Sequence, residues 1–355
     1  MFIIWVTLVL VYLFGFYARY FAKPANLGPD FVKPNWIPAF FAAASLVLVA
    51  GLRNNIGDTS FYMNSYRMND FNWEFINSSK DKGFNIFQML LQKISHDPQL
   101  LIFIVALITY VLIVFILYQY SRLFELSLYV FMTSGLFITS MNGVRQFLAA
   151  AIVFAGTRFM INGNWKSYLL IVLLAAQFHN TALVLIPIYF IIRSKAWSGT
   201  TFLLLAAAVL IVIGFNQFAS VLFHLLENTQ YGDYKNADYG GANVIRVFVY
   251  AVPVILAYLG REKLKRLCPF SDCIVNMSIL ALVFMIISTQ NWIFARFTYY
   301  FGLYSVVLVS WVVKLFSEKD QKLVYFSVII CYLIYFYYDS VVSLGIIYKS
   351  DLLTW

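Results

Sequence analysis

Apolar runs long enough to cross a bilayer recur along the whole of this 355-residue chain. A hydrocarbon core about 30 Å thick needs roughly 20 apolar residues in a helix. Lipid offers no partner to an open backbone, so each run must close its own hydrogen bonds. Hydrophobic residues make up 62% of the chain and charged residues 12%, with a mean hydropathy of +0.79, which removes the soluble classes. The runs cover residues 2–17, 37–52, 100–117, 123–139, 147–161, 168–192, 201–215, 244–259, 274–288, 299–313 and 323–344. The expected fold is all-α, a polytopic transmembrane helix bundle of about 11–12 membrane helices forming one domain over residues 1–355. Run 2–17 lacks a small-residue cleavage pattern and reads as a retained helix. No internal repeat is visible, which argues against an inverted-repeat transporter.

Basic residues orient the bundle. Arg261, Lys263, Lys265 and Arg266 crowd the loop 260–273, which the positive-inside rule makes cytoplasmic. Arg19, Lys23 and Lys33 put the next inner loop on the same side and the N-terminus outside. Arg122, Arg158, Lys166, Arg193 and Lys195 follow inside. The formal net charge of +9 then belongs to the cytoplasmic face. It reports orientation and makes no case for nucleic acid. Cys268 and Cys273 share the basic loop, where reduced thiols are expected, and no neighbouring histidine suggests zinc.

Run 168–192 breaks the alternation, because Lys166 and Arg193 both belong inside. Two short helices folded back near Gln177, Phe178, His179 and Asn180 satisfy both flanks. His179 would then sit at the tip of a hairpin, on the same cavity as Arg145. A single tilted helix with one flank on the wrong side is the competing reading.

Arg145 stands between two apolar runs in the phrase Ser140-Met141-Asn142-Gly143-Val144-Arg145-Gln146. A guanidinium at a helix centre costs roughly 2.5–3.5 kcal/mol on insertion scales and cannot shed its proton. It calls for an anion, with a lipid-headgroup anchor as the bland alternative. Arg53, Arg246 and Arg296 also stand at outer helix ends. Guanidinium matches phosphate through paired hydrogen bonds, so two or three converging arginines would grip a diphosphate.

Two outer loops are long, about 53–98 and 218–243. In the first, Gly57 permits a turn that aims Asp58 at the bundle mouth, where it would act as a base or cap a helix. Phe84, Phe87, Leu90, Leu91 and Ile94 oppose Asn85, Gln88, Gln92 and Lys93, an amphipathic helix expected in the outer interface. Tyrosines, amides and carboxylates over 227–241 suit a saccharide lid or a plain interfacial loop. HExxH, Walker A, GxSxG and CxxC patterns do not occur.

Several phrases follow one another in a familiar order. They are Arg53…Gly57-Asp58-Thr59…Tyr62, then Gly83-Phe84, Asn142…Arg145-Gln146, Phe178-His179-Asn180-Thr181-Ala182 and Arg296…Tyr300-Phe301. From about residue 45 to 310 the chain resembles the EpsG family of bacterial exopolysaccharide polymerases, which are Wzy-like. It departs from the family at Gly143, where a bulkier residue is common; the glycine is expected to loosen the turn before Arg145.

The resemblance implies a GT-C-like architecture and a hexosyltransferase-type polymerase in the bacterial plasma membrane. Its substrate would be an oligosaccharide repeat unit on undecaprenyl diphosphate, joined at the outer leaflet. A flippase, a chain-length regulator and membrane lipids are the implied partners. In the expected mechanism Asp58, His179 and Arg145 are catalytic. Arg53, Arg145, Arg246 and Arg296 bind diphosphate, and Tyr62, Asn142, Gln146, Asn180 and Tyr300 hold substrate. The donor is already activated, so no metal or cofactor is required. The rival readings are a lipid-linked oligosaccharide flippase, which needs the arginines but no base, and a glycan ligase of the same pathway.

Overall fold

A computed structural model describes residues 1–24, 32–78, 82–225 and 240–353. Helix α1 (Phe2–Tyr20) is joined to α2 (Trp36–Gly51) through a two-residue antiparallel pair, Lys23–Pro24 with Val32–Lys33. Three short helices follow, α3 (Thr59–Met68), α4 (Trp73–Ser78) and α5 (Lys82–Gln92), before the long α6 (Pro98–Tyr120). Next come α7 (Phe124–Thr133), α8 (Leu136–Asn142), α9 (Val144–Ala155) and α10 (Thr157–Ile161). Helices α11 (Trp165–Ala176) and α12 (Leu185–Ile192) flank a 3-10 turn, Asn180–Val184. Then α13 (Gly199–Ile213), α14 (Phe215–Leu225), α15 (Val244–Leu259), α16 (Arg261–Leu267) and α17 (Ser271–Ile287) complete the second half of the bundle. A 3-10 turn, Trp292–Phe297, opens into α18 (Thr298–Val312), and α19 (Glu318–Phe336) winds into a π turn, Tyr337–Ser343, and an extended tail.

The architecture is the expected all-α polytopic bundle. Among the described residues, four helical stretches are long and apolar enough to cross a membrane, and three bent pairs raise that to as many as seven if each pair is one span. Five shorter apolar helices of 10–17 residues pack among them. Phe2–Tyr20 and Glu318–Ser343 bury only 33% and 22% of their apolar windows, whereas Trp292–Leu315 buries 83%. The last is therefore the central post, packed against α7, α9, α15 and α17. Exposed Leu203, Leu210, Ile213, Phe326, Ile330 and Ile334 are what a lipid-facing rim requires.

One run expected as a single span is broken. Run 123–139 bends by 55° between α7 and α8, where Gly135 adopts φ 85°, a left-handed conformation that suits glycine. Run 201–215 is carried by α13, and the chain turns by 96° into α14 at its end. The hairpin of 168–192 is present. Arg193 at the end of α12 donates to the carbonyls of Met160 (2.9 Å) and Ile161 (3.1 Å), just before α11 begins. Tyr168 and Tyr189 pack at a tilt across the pair with ring centroids 5.2 Å apart. Both basic flanks thus lie at one end, as the charge rule requires.

Polar contacts of basic side chains tie the elements of this end together. Arg19 Nε lies 2.7 Å from Glu125, whose carboxylate is fully buried. Arg122 is 2% exposed and donates to the carbonyl of Leu267 and the sulfur of Cys268. Lys263 closes the carbonyls of Leu315 and Phe316. At the opposite end the C-terminal tail folds back on the start of the first outer loop. Asn54 Nδ2 donates to Asp351 (2.7 Å), Lys349 N to Asn55 Oδ1 (2.7 Å) and Tyr348 OH to the carbonyl of Val49 (2.8 Å).

The first outer loop is largely helical, and α5 is turned from its expected orientation. Phe84, Asn85, Gln88 and Leu91 are buried while Leu90 and Ile94 are 51% and 76% exposed. Side chains that face lipid can be apolar, and inward amides find backbone partners. Gln92 Nε2 donates to the carbonyls of Tyr66 (2.9 Å) and Asn69 (2.8 Å), and its Oε1 accepts from Phe71 N (3.1 Å). The saccharide-lid reading of 227–241 falls almost wholly on residues 226–239, outside the described residues. Helix α5 docks on the hairpin tip through Phe84 N to the carbonyl of Gln177, 3.1 Å. A Cβ at Gly83 would collide with Gln177 Cβ and lie 2.5 Å from its carbonyl oxygen. Gly83→Ala should push α5 off the hairpin and cost about 1–3 kcal/mol, read as a lowered melting temperature of the detergent-solubilised protein.

Candidate functional site

The site is assembled where helices end. Gly143 closes α8 and opens α9: its N–H bonds the carbonyl of Thr139 (3.0 Å) and its carbonyl accepts from Phe147 N (2.8 Å). The turn is tight, against the expectation of a loose one, and a Cβ at Gly143 would meet Tyr299 at 2.8 Å. Arg145 is thereby the second residue of α9. A cation at a helix N-terminus opposes the macrodipole, and both fields favour an anion in front of them.

Arg145 is held by aromatic groups. Its Nε donates to Tyr62 OH at 2.9 Å, and its guanidinium carbon lies 5.6 Å from the Tyr62 ring centre and 5.7 Å from that of Phe84. Arg296 comes from the 3-10 turn before α18. Asn291 caps that turn by accepting from Ile293 N (3.0 Å), and the Arg296 guanidinium packs 5.0 Å from the Trp292 ring centre. Gln146 Nε2 donates to the Arg296 carbonyl (3.0 Å) and reaches Thr181 Oγ1 (3.4 Å), so α9, the hairpin and the 3-10 turn are tied together.

His179 sits at the hairpin tip in extended backbone, φ −156° and ψ 115°. Its Nδ1 pairs with Thr181 Oγ1 at 2.6 Å, and Thr181 pairs with the buried Tyr300 OH at 2.8 Å. Arg145 and Arg296 both act electrostatically on the His179 ring. Asp58, Arg145 and Arg296 all act on the Tyr62 hydroxyl. Asp58, Arg246 and Arg296 all act on Tyr299. Four stretches far apart in sequence, which carry Asp58 with Tyr62, Arg145, His179 and Arg296, are thus drawn together by hydrogen bonds.

Asp58 takes the N-cap position of α3, but its carboxylate makes no cap hydrogen bond and is exposed. Asn142 holds it from behind, Oδ1 accepting the Asp58 N–H at 3.1 Å. Gly57, at φ 53°, allows that approach, since a Cβ there would strike the Asn142 amide. Asn142, Gln146 and Tyr300 accordingly serve as internal braces, while Asn180 is exposed at the hairpin tip.

The expected arginine quartet divides. Arg53 is 3% exposed and spends its guanidinium on protein, with Nε to Thr59 Oγ1 (2.9 Å), Nη2 to the Met141 carbonyl (2.8 Å) and Nη1 to the Ala50 carbonyl. It clamps α2, α3 and α8 and is not presented to a ligand. Arg246 is neutralised by Asp339, with Nε and Nη2 each 2.9 Å from Oδ1. That pair lines a neighbouring cavity of about 460 Å³. Thr181 and Asp339 are the residues that sequence reasoning missed. Thr181 was within the hairpin phrase, and Asp339 was a lone carboxylate in an apolar run, itself a functional signal.

A family model, the EpsG family, matches residues 36–350, nearly the whole chain. Neither a curated protein nor a solved structure matches it. Arg53→Ala should strand the carbonyls of Ala50 and Met141 and cost about 3 kcal/mol. A clear fall in the thermal midpoint is the expected outcome; unchanged stability with lost ligand binding would return Arg53 to the site.

Proposed function

The chain belongs to the EpsG family, the exopolysaccharide polymerase family, and on that premise we propose that it joins glycan repeat units carried on a lipid diphosphate. The single observation that carries this reading is the contact chain that ties Arg145 to Tyr62 and, through Gln146 and Thr181, joins its helix to the Arg296 turn and to His179.

Transfer from such a donor needs two things. Negative charge that grows on the departing diphosphate must be stabilised, and one proton must leave the acceptor hydroxyl. The acceptor oxygen bonds the anomeric carbon as the bond from that carbon to the diphosphate oxygen breaks, and the leaving group departs with the electron pair. Arg145 and Arg296 supply fixed positive charge, reinforced by the N-terminus of α9. Held by aromatic faces and backbone, they need little reorganisation at the moment of reaction. Asp58 is the base that takes the acceptor proton, because it is the one carboxylate at the mouth among the described residues and is not spent on a cap. His179 sits beside two cations and acts as a neutral hydrogen-bonding group on a phosphate or sugar oxygen. Thr181 and Tyr300 set its ring orientation.

The basic loop 260–273 and Arg122 lie at the end away from this mouth, which supports a site on the outer leaflet of the plasma membrane. A bacterial undecaprenyl carrier, a partner flippase and a chain-length regulator fit the same reading. The outcome of deletion separates the rivals: a strain lacking this protein should accumulate single lipid-linked units on the outer leaflet. Long lipid-linked chains in that strain would mean a ligase, and units trapped on the inner leaflet a flippase.

In purified protein, Arg145→Ala and Arg296→Ala should each lower kcat by roughly a hundredfold, as loss of one preorganised donor does elsewhere. Full polymer length with either variant would remove these arginines from the chemistry. Thr181→Val frees the His179 ring and should lower the rate by about tenfold with unchanged melting, measured as repeat units joined per minute.

A further inference from the structure

The cavity beside the cationic mouth has a different chemistry. Its volume, about 460 Å³, falls within the range of small-ligand sites, roughly 300–1,000 Å³. Trp292, Tyr250, Tyr299 and Tyr335 contribute to its wall, and Arg246 and Asp339 provide its charged groups. Arg246 makes both of its contacts to Asp339 through Oδ1. Asp339 Oδ2 turns toward Gly135, 3.5 Å from where a Cβ would be, and takes no hydrogen bond among the described residues. Gly135 itself lines the cavity, so the missing side chain leaves room in front of a carboxylate oxygen that is ready to accept.

A phosphate is a poor occupant, since the guanidinium is already neutralised and a carboxylate oxygen faces the space. A neutral, hydroxyl-rich ring is a good one: hydroxyls donate to Oδ2, and aromatic faces cover the C–H surface. The cavity also touches the reaction mouth. Gly57 and Asn142 line it, Asp58 follows Gly57, and Asp58 and Arg246 both act on Tyr299.

We propose that this cavity is the acceptor-sugar subsite, in which Asp339 Oδ2 accepts a hydroxyl of the terminal sugar and Arg246 holds Asp339 in place. The assignment rests on the glycan-transfer reading above. It gives the arginines separate roles, with Arg145 and Arg296 facing the leaving diphosphate and Arg246 serving the sugar. Asp58 stands between the two, where a base for the acceptor hydroxyl has to be.

The decisive measurement is binding, without turnover. The probe is the free oligosaccharide released by partial hydrolysis of the polymer that the host makes, titrated onto full-length protein in lipid nanodiscs. Asp339→Asn replaces the charge and Ile346→Trp fills the cavity from the tail, so two unrelated changes address one space. Wild type and Arg145→Ala should bind alike, and both cavity variants should bind about tenfold more weakly or worse, the equivalent of one lost hydrogen bond to a charged group. Wild-type protein that fails to bind the oligosaccharide would overturn the proposal. So would folded Asp339→Asn and Ile346→Trp proteins that bind as wild type does. Cavity-dependent binding in a protein that forms no glycosidic bond from lipid-linked donor would retire the polymerase mechanism and leave the sugar subsite standing.

Discussion

A helix that stops inside an apolar bundle strands backbone donors and acceptors that hydrocarbon cannot satisfy. This protein stops helices repeatedly near one end, at Gly143, at His179, before Trp292 and before Thr59, and each stop is stitched by a neighbour. Arg53 closes the carbonyls of Ala50 and Met141. Gln146 closes that of Arg296, and Gln177 accepts from Phe84 N. The candidate site depends on this stitching, because an irregular backbone lets side chains from four segments meet where straight helices would pass one another.

The same stitching sets the electrostatics. An arginine among apolar helices is tolerated when its charge is used, and three uses coexist here. Arg53 is consumed by carbonyls and becomes a structural clamp. Arg246 is paired with a buried carboxylate and becomes locally neutral. Arg145 is braced by Tyr62 and the Phe84 ring, and Arg296 by Trp292, contacts that hold the guanidinium groups in position.

Much of this was legible in the chain. The alternation of basic loops located the two ends, and the parity conflict around Lys166 and Arg193 revealed the hairpin, because charge cost at a membrane face acts locally and additively. The phrases around Asp58, Arg145 and His179 marked the site for a similar reason: polar residues are expensive between apolar runs. The face of α5 was not legible in this way, since periodicity assumes that water lies outside the helix. Here the outside is apolar, the buried Gln88 donates to Asn85, and the half-buried Gln92 bonds backbone on both sides of its amide.

Sequence alone determined the class, the ends and the expensive residues, all of which follow from the transfer cost of single side chains or short runs. Only the tertiary structure decided which arginine is a clamp and which is paired with a carboxylate. That division depends on partners such as Met141, 88 residues from Arg53, and Asp339, 93 residues from Arg246. Pairing across such distances is set by how helices pack, and no local energy in the chain encodes it.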